Sequence, residues 1–180
     1  PLPTKKQTKN TTTTTTGVAL EDLYLECPKD QITLVLSPDG GGKSTLLETL
    51  SCSTQTSRST QQQSGHTTHT AFINGLDINS SNRNAAIYSN HSNIIGYAPQ
   101  GDESLINTFT PKQLFYFYCH MRGVVGQHAD YFVHDLLASL NLLAAANVRL
   151  DQCSPGVRRR VTVGAALCGG PKIVLLDEPG

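Results

Sequence analysis

The chain has 180 residues, enough for one domain with a real buried core. Its 14 basic and 14 acidic residues cancel, which excludes a broad basic face for nucleic acid. Apolar residues make up a modest 38% because polar tracts dilute the rest.

The five cysteines are Cys27, Cys52, Cys119, Cys153 and Cys168. Their number is odd and no CxxC spacing occurs, so a disulfide scaffold or zinc site is not expected and a reducing compartment fits. No apolar run approaches the ~18 residues of a membrane-spanning helix, and no signal peptide is visible. The chain does not begin with Met, so its true N-terminus is expected further upstream.

Residues 1–16 are mostly Pro, Thr, Lys, Gln and Asn and end in six threonines, a composition that predicts a disordered tail. The domain is expected over 17–180. Val18, Leu20, Leu23 and Leu25 roughly alternate with polar residues, as in a half-buried strand over 18–27. Pro28-Lys29-Asp30 is a turn signal. Ile32-Thr33-Leu34-Val35-Leu36 reads as a strand buried on both faces. A glycine-rich loop follows, and 43–52 reads as helix. The tract 51–70, full of Ser, Thr and Gln, reads as an inserted flexible loop, tolerated because closure entropy grows slowly with length.

Thr70-Ala71-Phe72-Ile73 is a short strand closed by the turn dipeptide Asn74-Gly75. Ile94-Ile95-Gly96-Tyr97 is another. Thr110-Pro111-Lys112-Gln113 predicts a helix start, with Thr as N-cap, Pro at the first position and Gln three residues after the cap. Val133, Leu136, Leu137 and Leu140 recur at one-face helical spacing. Arg158, Arg159 and Arg160 form the one dense basic run and read as a solvated face. Ile173-Val174-Leu175-Leu176 reads as a buried strand ending in Asp177-Glu178-Pro179. The expected fold is α/β: a P-loop core with a mostly parallel sheet, a small antiparallel part near 17–36 and 69–75, and a helical subdomain at about 105–155.

The chemistry starts at Ser37-Pro38-Asp39-Gly40-Gly41-Gly42-Lys43-Ser44-Thr45. Glycines let backbone N–H groups converge on phosphates, and a helix N-terminus adds a favourable dipole. Lys43 supplies charge for the β- and γ-phosphates. The Ser44 hydroxyl is placed for Mg²⁺, and Thr45 reaches the α-phosphate. Ser37 stands where the motif has its first glycine. A left-handed backbone there would cost of order 1 kcal/mol. At Leu175-Leu176-Asp177-Glu178, an Asp ending a strand beside the loop would hold the Mg²⁺ shell. Glu178 would polarise the attacking water as general base. By itself such a strand end often only marks where a strand meets solvent; its pairing with the glycine loop gives it weight.

From residue 17 to 180 the sequence resembles the ABC transporter ATPases, most of all their subfamily A, the lipid-exporter type. Besides the two motifs above, Ile95-Gly96-Tyr97-Ala98-Pro99-Gln100-Gly101-Asp102 resembles the Q-loop segment, which implies that Gln100 senses the γ-phosphate and Mg²⁺. Cys153-Ser154-Pro155-Gly156-Val157-Arg158-Arg159-Arg160 stands in the place of the signature loop. Cys168-Gly169-Gly170-Pro171-Lys172 leads into the acidic strand as in the family. The resemblance implies ATP and Mg²⁺ as ligands. It also implies a head-to-tail dimer in which Ser154 and Gly156 donate to ATP on a second such domain. Transmembrane partners and a place at the cytoplasmic face follow from it.

Two departures stand out. Cys153 replaces Leu, and Pro155 replaces the first signature glycine, removing one N–H and pushing Ser154 towards extended geometry. The D-loop and switch histidine of the family would lie past Gly180. His66, His69, His91, His120, His128 and His134 all precede the acidic strand and read as plain surface or loop residues. Two alternatives remain open beside an active transport ATPase: a degenerate regulatory module that binds ATP and hydrolyses it poorly, and another P-loop enzyme such as a nucleotide kinase.

Overall fold

The computed structural model describes residues 23–51, 72–73, 76–77, 94–102 and 104–180. The threonine-rich tail, most of the polar insert, and His66, His69 and His91 lie outside the described residues.

Helix α1 (Lys43–Leu50) follows the glycine loop. Strands β1 (Phe72–Ile73) and β2 (Leu76–Asp77) pair antiparallel, Phe72 opposite Asp77 and Ile73 opposite Leu76. The expected turn residues Asn74 and Gly75 lie outside the described residues. Strand β3 (Ile95–Ala98) runs parallel to β4 (Ile173–Leu176), in register from Ile95 opposite Ile173 to Ala98 opposite Leu176. A parallel pair requires a long crossover. Here the crossover is the helical part of the domain: α2 (Pro111–Met121), α3 (Gly126–Ser139), two short 3-10 turns, and α4 (Pro155–Leu167).

Local sequence explains these helices. At α2 the Thr110 hydroxyl accepts from the Gln113 backbone N–H at 3.2 Å, and the Gln113 side chain accepts from the Thr110 N–H at 3.0 Å. Pro111 occupies the first turn, so the expected capping box forms in full. On α3, Val133 and Leu137 are buried, and Leu136 and Leu140 pack partly against the same core. That core also holds Leu114, Phe115, Cys119, Leu142, Leu150, Val161 and Cys168.

Two features lock the crossover to the sheet. A Cβ built on Gly96 of β3 would lie 2.0 Å from the Ala166 carbonyl oxygen near the end of α4, so only glycine allows that approach. We expect Gly96→Ala to cost at least ~1–3 kcal/mol, because the obstacle is backbone; urea unfolding would measure it. The second is the half-buried Arg122. Its guanidinium donates to the carbonyls of Ile95 and Ala166, each at 3.2 Å, and to that of Cys168. Burial lowers the Arg122 pKa. Beside it, a hydrogen bond from the Cys168 thiol favours the Cys119 thiolate, while the same contact and burial push Cys168 up.

Three expectations fail. The run 32–36 forms no strand: Ile32 is 100% exposed, Leu34 75% and Leu36 80%. Its apolar side chains suit a sheet interior, but no neighbouring backbone among the described residues offers it a ladder, and a strand is stable only when paired. Residues 23–27, the described part of the strand expected over 18–27, likewise form no strand, with Leu23, Tyr24 and Leu25 exposed. Finally, β4 is half-buried rather than buried, with Leu176 exposed; α4 is the helix packed most extensively on the pair.

Candidate nucleotide site

The glycine loop forms a self-contained cradle. Gly40 and Gly42 have φ of 74° and 81°, the left-handed region that glycine enters freely. A Cβ on Gly41 would collide with the Ser37 hydroxyl at 2.4 Å, and the Gly41 N–H donates to the Pro38 carbonyl at 3.0 Å. Ser37 is not left-handed, so the expected backbone cost is absent. The Lys43 ammonium folds back over the loop, donating to the carbonyls of Ser37 at 3.1 Å and Pro38 at 3.3 Å. Ser44 is half-buried at the start of α1, while Asp39 and Thr45 are exposed.

The second half of the site stands where β3 and β4 end. The Asp177 N–H donates to the Ala98 carbonyl at 3.0 Å, extending the ladder by one step. Asp177 is only 4% exposed. A carboxylate at a strand end is a hard oxygen donor of the kind that Mg²⁺ takes. Glu178 follows in a left-handed conformation, φ 48°, and its carboxylate accepts from the Gln100 side-chain amide at 2.7 Å. Gln100, Asp177 and Glu178 are therefore brought together from ends of two neighbouring strands. Among the described residues, no hydrogen bond joins the Lys43 loop to this group.

The arginine run is not a solvated face. Arg158 pairs with Asp102 at 2.6 Å and donates to the Asn107 side chain and the Leu150 carbonyl, each at 2.9 Å. Arg160 donates to the carbonyls of Leu140 and Asn141 at 3.1 and 2.8 Å. Arg159 reaches the carbonyls of Pro99, Gln100, Asp177 and Glu178. Successive helical residues splay about 100° apart, so each arginine meets different neighbours. Nothing in a run of three like charges reveals that those neighbours are carbonyls, and Arg159 escapes the sequence reading for that reason.

In the signature-like segment, Ser154 caps α4, accepting from the Val157 N–H at 3.4 Å. It is extended, φ −64° and ψ 156°, as a residue before proline should be. Pro155 sits in the first helical turn, where its missing N–H breaks no helical bond. Gly156 is exposed with open space around it. His120, His128 and His134 are exposed, in line with their assignment as surface residues.

Comparison with known proteins agrees with this architecture. The profile of the ABC transporter family matches residues 20–180. ATP-binding cassette sub-family A member 17 of Rattus norvegicus is 32% identical over 162 residues, which is 90% of this chain and 8% of that protein. ABC transporter A family member 11 of Arabidopsis thaliana is 34% identical over 161 residues, 89% of this chain and 15% of that protein. The glucosylceramide transporter ABCA12 of Mus musculus is 38% identical over 89 residues, 49% of this chain and 3% of that protein. The chain thus spans a small fraction of the relatives it matches. Among solved structures, a dimer of the ATP-binding cassette MJ0796, in a post-hydrolysis state bound to ADP and Pi, superposes with a TM-score of 0.64 at 23% identity. That match covers 79% of this chain and 58% of the other, and it shows the shared P-loop α/β fold. With the family's profile running through the glycine loop, the Gln100 turn and the acidic strand in one stretch, the chain belongs to the ABC transporter family.

Proposed function

We propose that the chain is the nucleotide-binding domain of a subfamily A transporter, binding Mg-ATP and hydrolysing it to power movement of a lipid across a membrane. The observation that carries this reading is Asp177, 4% exposed at the end of β4, beside the hydrogen-bonded Gln100–Glu178 pair. Metal ligand, γ-phosphate sensor and general base then stand together. Gly40, Gly41 and Gly42, with Ser37 and Asp39 at the edges of the loop, cradle the phosphates. Lys43 neutralises the β- and γ-phosphates, Ser44 joins Asp177 and Gln100 on Mg²⁺, and Thr45 approaches the α-phosphate. Glu178 accepts a proton from the attacking water.

Ser154 and Gly156 contact ATP held by a second copy of the domain; the dimeric cassette among the structural neighbours supports that arrangement. The partners are that second domain and transmembrane segments, which would put the domain at the cytoplasmic face. The lipid cargo rests on the similarity to a glucosylceramide transporter. Pro155 favours a second reading, a module that binds ATP but stabilises its partner's nucleotide poorly, since one signature N–H is lost.

Light scattering on a slowly hydrolysing Glu178→Gln variant separates the two. An ATP-dependent dimer is expected if the signature loops close on nucleotide; a monomer at saturating Mg-ATP would contradict the active reading and favour the degenerate one. For the cargo, vesicles of phosphatidylcholine with glucosylceramide should raise ATP turnover above phosphatidylcholine alone when the chain works within its transporter. An identical rate would count against that lipid.

A further inference from the structure

We infer that Arg159 is a positioning residue for hydrolysis, a staple that holds the Gln100 turn and the Asp177-Glu178 turn in the geometry the reaction needs. The inference rests on the ATPase reading above and deepens it. Arg159 Nη1 donates to the Pro99 carbonyl at 2.5 Å and the Gln100 carbonyl at 3.4 Å. Nη2 donates to the Glu178 carbonyl at 2.7 Å and to that of Asp177. One side chain on the first turns of α4 therefore grips the ends of both β3 and β4. The two turns carry the candidate groups of this half of the site, and among the described residues one direct side-chain hydrogen bond, Gln100 to Glu178, joins them.

The backbone at Glu178 shows why a staple is needed. Left-handed geometry costs a non-glycine residue ~1–2 kcal/mol, so Glu178 at φ 48° must be held by its surroundings. Arg159 grips the carbonyls on both sides of the Glu178 Cα. With that grip lost, Glu178 can relax towards right-handed geometry and swing its carboxylate away from Gln100. A planar guanidinium serves four carbonyls in two pairs; a lysine offers a single point of charge and cannot copy the fork. The hydrogen bonds of Arg159 all go to backbone carbonyls of these two turns, so its effect passes through the Gln100 and Glu178 they carry.

The test is steady-state ATP turnover of the full chain as parent, Arg159→Lys and Arg159→Gln, each alone and combined with Glu178→Gln. We expect Arg159→Lys to lower kcat by about 10-fold or more, with KM for ATP changed by less than about two-fold. In the Glu178→Gln background the same substitution should change turnover by less than about two-fold, because the geometry it protects no longer matters. Effects that multiply in the double variant, or a raised KM with kcat intact, would overturn the inference. So would unfolding of both Arg159 variants in urea, which would make the residue a plain structural tie. If Glu178→Gln alone leaves turnover untouched, or the parent chain has none, the ATPase reading fails and the inference falls with it. A Glu178-dependent parent rate with multiplying effects sinks the inference alone.

Discussion

Lys43→Ala is expected to weaken Mg-ATP binding by ~10- to 10²-fold, since a hydrogen bond to a charged group contributes ~1.5–3 kcal/mol and each 1.4 kcal/mol is tenfold. The Lys43 ammonium is held over the loop by the Ser37 and Pro38 carbonyls. Those weak neutral acceptors are easily exchanged for phosphate oxygens, which bind a lysine more strongly. Truncation at Lys43 leaves the helical core untouched, because the core residues all lie between Leu114 and Cys168. Fluorescent-nucleotide titration, with a urea midpoint equal to the parent's as control, checks the result. An unchanged Kd would remove Lys43 from the site.

Glu178→Gln should keep ATP affinity within a few-fold and slow turnover by ~10²-fold or more, as loss of a general base does. The substitution is sharp because the Gln100 amide donates to the Glu178 carboxylate at 2.7 Å, and a glutamine side-chain oxygen can accept the same bond. Shape and contacts are retained while the basic oxygen is lost. The left-handed backbone at residue 178 is equally open to either residue type. Single-turnover kinetics with labelled ATP separates chemistry from binding. A variant as fast as the parent would deny Glu178 its role.

The sequence was most legible where interactions are local. The Thr110 capping box spans three residues, and both of its hydrogen bonds form as the pattern requires. Strands β3 and β4 were visible as short apolar runs, and Asp177 stands at the end of its strand as expected. The extended geometry of Ser154 followed from Pro155 alone. What was hidden depends on partners distant in sequence. The run 32–36 has the apolar content of a sheet interior, yet burial requires a neighbouring ladder that its own residues cannot announce. Arg159 looked like its two neighbours in sequence and differs from them only in which carbonyls it faces. The link from Gln100 to Glu178 crosses 78 positions, and only the parallel register of β3 and β4 makes it possible.

On the proposed reading, a single magnesium–triphosphate is held jointly by the glycine loop and the acidic strand end. Electron paramagnetic resonance of Mn²⁺, substituted for Mg²⁺ and titrated with ATP, tests it most directly. Ordered Mn²⁺ should appear only when ATP is present, and should be lost in both Lys43→Ala and Asp177→Asn. Bound Mn²⁺-ATP with the parent's affinity and spectrum in Asp177→Asn would show that the two halves do not share a nucleotide.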